Sequence, residues 1–511
     1  MAKTKNKAEF GDFQTPVLLA QQVCRVVRKR APRPSTILEP TCGLGGILLA
    51  AANVFPEAPV VMGRELSPIY TAALQQTIGV RPDHGRFDVQ QGDYFTHNWG
   101  AAMAGLPTPL LIIGNPPWVT NAELSVLGSD NKPHRYNFQE LKGLDAMTGK
   151  SNFDISEWML LDMLRWLNNS DATIAMLIKT SVARKVLIHA WKNRLNIHEA
   201  AIYRIDAKKH FGAAVDACLL VFRTNTVAGP QHKECQVFAT LESAKPTATL
   251  SYQDGQLIAN ALYYEQWQHL QLQNEGQYRW RSGIKHDCSK VMELTVLPQA
   301  PAGTYKNGFD EIIELENAYV LPMLKTSEVA KGNAGQPQRR MIVTQRTTGE
   351  ATGAIQVIAP ATWAYLQQYG HLLDGRQSAI YKKRPRFSIF GIGDYAFMPW
   401  KVAISGLYKH LRFCVVGPHH GQPVVLDDAS YFLGCQSEAE ARIIAELLNS
   451  TVATQFFSAF IFWDAKRSIT VDLLQRLDLQ LLAQELGRAD EFRAVGAQAQ
   501  VHEHIQGELF V

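Results

Sequence analysis

Short apolar runs and amphipathic stretches alternate through the first half of the chain. The runs are too short for helices and are bounded by Gly or Pro, which is typical of strands covered on both faces in a parallel sheet. Between them, apolar residues recur at helical spacing. This alternation predicts an α/β fold, with strands near 36–39, 60–63, 110–113 and 173–178 and helices near 17–30, 158–167 and 183–195.

The apolar run 110–113 is followed by Gly114 and then by Asn115, Pro116, Pro117 and Trp118. The prolines cannot donate to a sheet ladder, and they hold the backbone extended as it leaves the sheet. The Asn115 side chain, the Pro116 carbonyl and the Trp118 ring should therefore lie together at the carboxyl end of a strand, where open α/β sheets bind ligands. A plainer interpretation is a diproline turn in which Asn115 caps backbone groups.

A glycine loop connects the strand at 36–39 to a helix, and its residues include Thr41, Cys42 and Gly43. Glycines there permit positive φ and let a ligand approach the backbone. Glu39, at the strand end, would repel a pyrophosphate but attract the ammonium of a methionine moiety. The loop therefore indicates S-adenosylmethionine rather than a dinucleotide.

Two further acidic residues follow the next strands. Glu65 is placed to hold a ribose diol, since it ends the second strand about 20 residues after the glycines. The alternative for Glu65 is a surface carboxylate paired with Arg64. Asp93 follows a third strand, and an Asp after Gly is also an ordinary turn residue.

The segment Asn115–Trp118 resembles the NPPY/W motif of amino-methyltransferases, which transfer a methyl group from S-adenosylmethionine to an exocyclic amino group of a base. That nitrogen is a poor nucleophile because its lone pair is delocalised into the ring. The Asn115 oxygen and the Pro116 carbonyl could each accept one N–H and favour tetrahedral geometry. The order of motifs resembles the gamma class of DNA adenine-N6 methyltransferases, similar to the TaqI type, over residues 11 to about 225.

This resemblance implies the remaining cofactor contacts. Thr15 of the Thr-Pro pair would line the cofactor site, although as a plain alternative it caps the following helix. Asp93 would accept the adenine amino group of the cofactor, with the ring of Tyr94 or Phe95 packed on the adenine. Phe153 resembles an aromatic residue that helps to enclose the cofactor.

The methylated base must leave the duplex, at a cost of a few kcal/mol that aromatic stacking can offset. Phe211 lies in a basic loop between two predicted strands. We therefore expect Trp118 on one face of the base and Phe211 on the other, as an aromatic at this loop does in the resembling enzymes. The alternative for Phe211 is a core aromatic that covers the sheet end.

Beyond residue 236 the composition changes, and one segment combines cations with aromatics. In the same family a target-recognition domain stands here, and residues 381–413 resemble it. The pattern at 387–393 is β-like. Candidate contacts to DNA in this region are Lys382, Lys383, Arg384, Arg386, Lys401 and Lys409, since cations bind phosphates. Without the first half, a solvated strand face would explain the segment equally well.

The sequence thus predicts an α/β protein of two domains. Residues 1–235 form a seven-stranded Rossmann-like S-adenosylmethionine-dependent methyltransferase sheet, and residues 236–511 form a mixed α/β target-recognition domain, with double-stranded DNA between them. Rival functions are N4-cytosine methylation, methylation of RNA or protein, and a catalytically inactive DNA-binding subunit. The N4-cytosine class more often carries Ser in place of Asn115.

Size and composition agree with this prediction. The chain has 511 residues, a formal net charge of +4 and 46% apolar residues, as is ordinary for globular proteins. No apolar run is long enough for a membrane span, and the cysteines form no CxxC pair, so we expect a cytoplasmic protein without a metal site. Restriction-modification or phage defence is the expected setting. A separately encoded restriction endonuclease or defence complex is a candidate partner, and we expect a monomer on DNA.

Overall fold

The computed structural model describes residues 14–31, 33–119, 154–167, 170–226, 233–273, 276–332, 335–465 and 467–495. The chain divides into two compact units, Met1–Ala261 and Leu262–Val511. None of the helices within the described ranges combines the length and apolar content needed to cross a membrane.

Unit 1 is an alternating α/β structure. Its strands are β1 (Thr36–Glu39), β2 (Val60–Glu65), β3 (Phe87–Gln91), β4 (Leu110–Gly114), β5 (Ala172–Lys179), β6 (His198–Ile205), β7 (Ala217–Thr224), β8 (Glu234–Phe238), β9 (Ala248–Gln253) and β10 (Gln256–Ile258). Its helices are α1 (Val17–Arg28), α2 (Gly46–Val54), α3 (Pro68–Gly79), α4 (Trp99–Met103), α5 (Ile155–Trp166), α6 (Thr180–Lys192) and α7 (Ala207–Phe211).

These strands form one sheet in the order β10-β9-β8-β6-β7-β5-β4-β1-β2-β3. Strands β1 to β5 are mutually parallel where they pair, and β7 runs antiparallel between β5 and β6. The sequence-based prediction of seven strands is therefore wrong in number. Strand β8 pairs in parallel with β6, and β9 and β10 extend the same sheet. The predicted boundary at residue 235 is also too early, because it would separate these paired strands from their sheet.

Burial explains why the apolar runs became strands of this sheet. Every residue of β4 is buried, and β5 is buried up to its last residue, Lys179. Helix α1 contributes Leu19, Val23 and Val27, which recur at four-residue spacing, to the same buried core as residues of β1 and β4, and it leaves Arg25 and Arg28 exposed. Both faces of the central strands are therefore shielded from water, as a parallel sheet requires.

Unit 2 is a mixed α/β structure, as the sequence predicted, with shorter elements. Its strands are β11 (Arg281–Ser282), β12 (Glu293–Val296), β13 (Thr304–Lys306), β14 (Ile312–Glu314), β15 (Val320–Leu324), β16 (Arg339–Ile342), β17 (Trp400–Ser405), β18 (Cys414–Val416), β19 (Val425–Leu426) and β20 (Ser430–Cys435). Its helices are α8 (Ala261–Trp267), α9 (Ser289–Met292), α10 (Thr326–Lys331), α11 (Ile355–Ile358), α12 (Pro360–Gln368), α13 (Gly370–Asp374), α14 (Glu438–Leu448), α15 (Thr451–Ser458), α16 (Val471–Leu474) and α17 (Leu479–Glu485).

Two sheets form this unit, in the orders β11-β20-β17-β18 and β14-β13-β12-β16-β15-β19. The segment 387–393 was predicted to be β-like, and this prediction is wrong: apart from one isolated bridge between Phe390 and Lys285, the segment is irregular. Phe387 and Gly391 have positive φ, which interrupts a regular strand. The apolar side chains that suggested a strand, such as Phe387 and Ile389, are instead buried in the core of the unit.

Candidate active site

Four polar side chains stand at the carboxyl ends of four adjacent parallel strands. Asn115 follows β4, Glu39 ends β1, Glu65 ends β2, and Asp93 comes shortly after β3. These strands are neighbours in the order β4-β1-β2-β3. Because they are parallel, their ends meet at one edge of the sheet, which we call the catalytic edge. The structure therefore brings together the four strand-end residues that the sequence singled out.

Glu39 is the most buried of the four, with 3% of its surface exposed. Its Oε2 accepts a hydrogen bond of 2.8 Å from the backbone N–H of Leu48, in the first turn of α2. Burial raises the pKa of the Glu39 carboxyl well above its ordinary value; the Leu48 N–H opposes this rise and the charge of Glu65 adds to it. A cationic group beside this carboxyl would favour its ionised form.

The glycine loop depends on backbone conformations that favour glycine. Gly43 and Gly45 have φ of 52° and 80°, in the left-handed region that favours glycine. Cys42 is buried, and its carbonyl accepts a hydrogen bond of 2.7 Å from Gly45 N. Gly46, at the end of the loop, lies close to the segment before α1. A Cβ at this position would be only 2.9 Å from the Thr15 carbonyl oxygen, so a side chain would not fit there. Thr41, at the start of the loop, is partly exposed.

The Glu65 carboxylate accepts hydrogen bonds from the glycine loop and from the turn after β2. Its Oε2 accepts a hydrogen bond of 2.8 Å from Gly43 N, and its Oε1 accepts one of the same length from Ser67 N. The alternative in which Glu65 pairs with Arg64 is wrong, because the Arg64 guanidinium pairs with Asp88 at 3.2 Å. The Glu65 carboxylate is therefore fixed in position at the catalytic edge.

Thr15 is directed towards the catalytic edge and not towards the end of α1. The capping alternative is wrong: the N-cap residue of α1 is Pro16, and no side chain caps the helix. Instead, Thr15 Oγ1 accepts a hydrogen bond of 3.3 Å from Asn115 Nδ2. This contact connects the segment before α1 with the residue that follows β4.

Trp118 and Phe211 are neighbours, but they do not form the expected clamp. Trp118 is 5% exposed, and its Nε1 donates a hydrogen bond of 3.0 Å to the Leu177 carbonyl. Its ring centroid lies 5.1 Å from that of Phe211, with the ring planes at 72°. Two rings in edge-to-face contact leave no space between them for a base, so the clamp is not formed in this structure. Pro116 is buried and Pro117 partly exposed beside them.

Tyr94 lies in the packing between β3 and α5 and not at the surface of a pocket. Its hydroxyl donates to the Met159 carbonyl at 3.1 Å, and its ring contacts those of Trp99 and Trp158. The prediction that Tyr94 packs on an adenine ring therefore conflicts with its burial. Phe95, the alternative, is partly exposed.

Asp93 forms a local turn, since its Oδ1 accepts a hydrogen bond of 2.9 Å from Phe95 N. Its side chain remains partly exposed at the catalytic edge. Phe153, the further aromatic expected to enclose the cofactor, lies outside the described residues.

Two features of this edge were missed in the sequence. Gln14 lies on the glycine loop, where its Oε1 accepts a hydrogen bond of 3.2 Å from Leu44 N. Asp154 pairs with Lys179, at the end of β5, over 2.7 Å. For the Asp154–Lys179 pair, the sequence offered a signal, namely a lysine at the end of an otherwise apolar strand. For the Gln14–Leu44 contact it offered no local signal, because that contact depends on the path of the loop.

The cations predicted to contact DNA differ in their environments in unit 2. The prediction that Lys401 contacts a phosphate is wrong, because Lys401 is 1% exposed and its Nζ donates a hydrogen bond of 2.6 Å to the Met398 carbonyl. Burial lowers the pKa of Lys401 to about 7. Arg386 is exposed, but its guanidinium pairs with Asp374 at 2.8 Å and donates to Gln367. Lys382, Lys383, Arg384 and Lys409 are exposed.

The fold and the catalytic edge define a class of protein: an S-adenosylmethionine-dependent methyltransferase of mixed α/β fold. A comparison with known proteins extends this identification. The type II methyltransferase M.NspV of Nostoc sp. (strain ATCC 29411 / PCC 7524) is 41% identical over 479 residues, which cover 94% of this chain and 98% of the Nostoc protein. The chain therefore belongs to the type II methyltransferases, the DNA methyltransferases of restriction-modification systems. No family model matches the sequence.

A solved structure shows the same fold over most of the chain. The type IIL restriction-modification enzyme MmeI, in complex with DNA, is similar with a TM-score of 0.50 and 12% sequence identity. The match covers 91% of this chain, which spans 63% of the MmeI chain. The likeness therefore extends through both units.

The methyl donor of this family is S-adenosylmethionine, which confirms the cofactor predicted from the motifs. The donor set of the catalytic edge fits that molecule in its chemistry. Carboxylates suit its ammonium and its ribose hydroxyls. Glycine is required at position 43 of the loop, because Gly43 has positive φ and a Cβ there would lie 2.9 Å from the Gln14 side chain.

Proposed function

We propose that this protein methylates N6 of adenine within a specific sequence of double-stranded DNA, as a gamma-class enzyme. The observation that carries the proposal is the position of Asn115 and Pro116 directly after β4, beside Glu39 on the neighbouring strand β1. Two hydrogen-bond acceptors thus stand next to the carboxylates that suit the cofactor. N4-cytosine methylation would use the same geometry, and the residue Asn115 favours adenine.

The chemistry follows from these acceptors. The Asn115 side-chain oxygen and the Pro116 carbonyl each accept one N–H of the base amino group, and the nitrogen becomes tetrahedral with its lone pair free. S-adenosylmethionine supplies an electrophilic methyl group on a sulfonium. The amino nitrogen held by Asn115 and Pro116 would form the new N–C bond, the C–S bonding pair would stay on the sulfur of the donor, and the nitrogen would then lose one proton to solvent. No carboxylate base is needed for this step.

We assign cofactor contacts to the remaining residues of the catalytic edge. Glu39 attracts the methionine ammonium, Glu65 holds the ribose hydroxyls, and Asp93 accepts the adenine amino group. Phe95 rather than Tyr94 would pack on the adenine, because Phe95 is partly exposed. The backbone of Thr41–Gly43 and the Thr15 side chain would complete the site.

The base itself needs a different ring arrangement from the one seen here. We infer that Phe211 moves away from Trp118 when an adenine enters, since the two rings now touch at 5.1 Å. Stacking on either ring is worth about 1–3 kcal/mol per base, which is comparable to the cost of flipping. Unit 2 would serve as the target-recognition domain, with Lys382, Lys383, Arg384 and Lys409 near phosphates.

The test is modification-sensitive sequencing of DNA from cells that express either the wild-type protein or Asn115→Ala. We expect N6-methyladenine at one sequence motif with the wild type and its loss with the variant. Removal of one preorganised hydrogen-bonding group at a reaction centre typically costs about 10²–10³-fold in kcat.

Asn98→Ala is the matched control, because Asn98 also offers an amide oxygen but uses it to cap α4 through Ala101 N at 3.1 Å. This variant should lose about 1 kcal/mol of stability and keep its methylation pattern. Methylated cytosine in place of adenine would redirect the proposal to the N4 class. Unmodified DNA with the wild type, despite measured cofactor binding, would contradict a DNA substrate.

A further inference from the structure

We propose that helix α7 binds phosphates of the target DNA strand next to the flipped base, through Lys208 and Lys209. This inference rests on the proposed function, and it assigns a DNA contact to the catalytic unit itself. Nothing in the motif pattern required these two lysines, which belong neither to the cofactor motifs nor to the basic segment of unit 2.

Topology places α7 at the catalytic edge. Strand β7 is antiparallel to both β5 and β6, and β5 is parallel to β4. The carboxyl end of β6 therefore lies at the same edge as the carboxyl end of β4. Helix α7 follows β6 directly, and its last residue, Phe211, contacts the Trp118 ring.

The helix is fixed by hydrogen bonds at both ends. Asp206 caps the start, with its Oδ1 accepting a hydrogen bond of 2.9 Å from Lys209 N. Gly212 ends the helix with φ of 68°, and its N–H donates to the Lys208 carbonyl at 3.0 Å. A five-residue helix held in this way presents its side chains in defined directions.

The charges of α7 face solvent. Ala207 and Phe211 are buried, whereas Lys208 and Lys209 are exposed. No ion pair recorded among the described residues includes either lysine. The nearest acid in sequence, Asp206, is engaged with the helix backbone. These two cations lie two and three residues before Phe211, which contacts Trp118, and are therefore close to the position that we propose for the flipped base.

Salt dependence of DNA binding tests this inference, because each phosphate contact contributes about 0.9 to the slope of log K against log salt. The affinity of a fluorescein-labelled duplex containing the methylated motif is measured from low to physiological KCl for wild type, Lys208→Gln, Lys209→Gln and the double variant. Each single variant should lower the slope by about one, and the double variant by about two. Cofactor affinity and thermal stability should match those of wild type.

The matched control is Lys29→Gln combined with Lys192→Gln. Both lysines are exposed and lie at the carboxyl ends of α1 and α6, which point away from the catalytic edge. An unchanged slope in the α7 variants, or an equal drop in the control, would overturn the inference. Failure of the proposed function is a separate result: it appears as a wild-type protein that does not methylate DNA at all.

Discussion

The catalytic edge of unit 1 and the basic segment of unit 2 were both predicted from the sequence. In the structure the predicted residues of the first lie together, whereas two predicted cations of the second are buried or paired within the protein. At the catalytic edge, Glu39, Glu65, Asp93 and Asn115 stand at adjacent strand ends. In the basic segment, residues 381–413, Lys401 is buried and Arg386 pairs with Asp374. Just before this segment, the Arg376 guanidinium donates to the carbonyls of His286 and Ser388.

The difference has a physical reason. In a parallel sheet, the direction of the strands forces every carboxyl end to one edge, so residues distant in sequence meet whatever their side chains are. A basic segment has no such constraint, because a carbonyl or a carboxylate of the protein can bind a cation in place of a phosphate. The position of a residue at a strand end therefore predicts which residues meet, whereas residue type alone does not predict which cations remain exposed.

The largest expected effect concerns the exposed cations of unit 2. We expect the combined change Lys382→Gln, Lys383→Gln and Arg384→Gln to weaken duplex binding by about 10–100-fold at low salt and to lower the salt slope by up to about three. The measurement is a KCl titration of duplex affinity. Arg386→Gln is the control: it breaks the Asp374 pair, costs at most about 1 kcal/mol of stability and leaves the slope unchanged. Equal slopes in all proteins would show that these cations do not contact phosphates.

A smaller effect is expected for Glu39→Gln at the catalytic edge. The amide oxygen of Gln can still accept from Leu48 N, but it no longer attracts an ammonium. We expect cofactor affinity, measured by calorimetry, to fall about tenfold near pH 8. In wild type this affinity should rise with pH as Glu39 ionises, and in the variant this dependence should be absent. Equal affinity in both proteins across the pH range would remove Glu39 from the cofactor site.

The change Glu39→Gln should lower cofactor affinity but raise the stability of the cofactor-free protein. Because burial raises the pKa of Glu39 in the folded chain, the unfolded chain releases its proton first as the pH rises. Wild-type stability therefore falls between the ordinary glutamate pKa and the raised one. Without cofactor, Glu39→Gln should be more stable than wild type at pH 8, and the difference should disappear towards pH 4. Thermal unfolding across this range measures both trends.

For Lys401→Met in unit 2 we expect no effect on DNA binding, but a change in stability. Below about pH 7, Lys401 is charged in both folded and unfolded chains, and the folded protein bears the full cost of a buried ammonium. Between about 7 and the ordinary value of 10.5, the unfolded chain holds a proton that the folded chain has released, so wild-type stability rises with pH. The variant should gain on the order of 1–3 kcal/mol near pH 6 and less as the pH rises.

Denaturant unfolding at several pH values checks this result, with Lys382→Met as an exposed control that should show no gain. Duplex affinity of Lys401→Met should equal that of wild type. A loss of DNA binding without a gain in stability would mean that Lys401 reaches DNA after all, and the contrast between the two regions would weaken.

Much of unit 1 could be predicted from the sequence. The strand at 36–39 was predicted at its observed position, and β4 was extended only by Gly114. The helix predicted at 17–30 begins at Val17 as expected but ends at Arg28. These elements have strong signals, because a strand covered on both faces is wholly apolar and an amphipathic helix repeats its apolar residues at fixed spacing. Strands β8 to β10 were missed because they follow the seven strands of the resembling family and carry no motif.

The side-chain environments could not be predicted in the same way. The sequence by itself determined which strand ends carry Glu39, Glu65 and Asn115, since local periodicity sets where a strand stops. Only the tertiary structure decided that Thr15 contacts Asn115, that Trp118 and Phe211 touch, and that Lys401 is buried. Those contacts join residues far apart in the chain, and their energies depend on packing and solvent exposure, which no local pattern encodes.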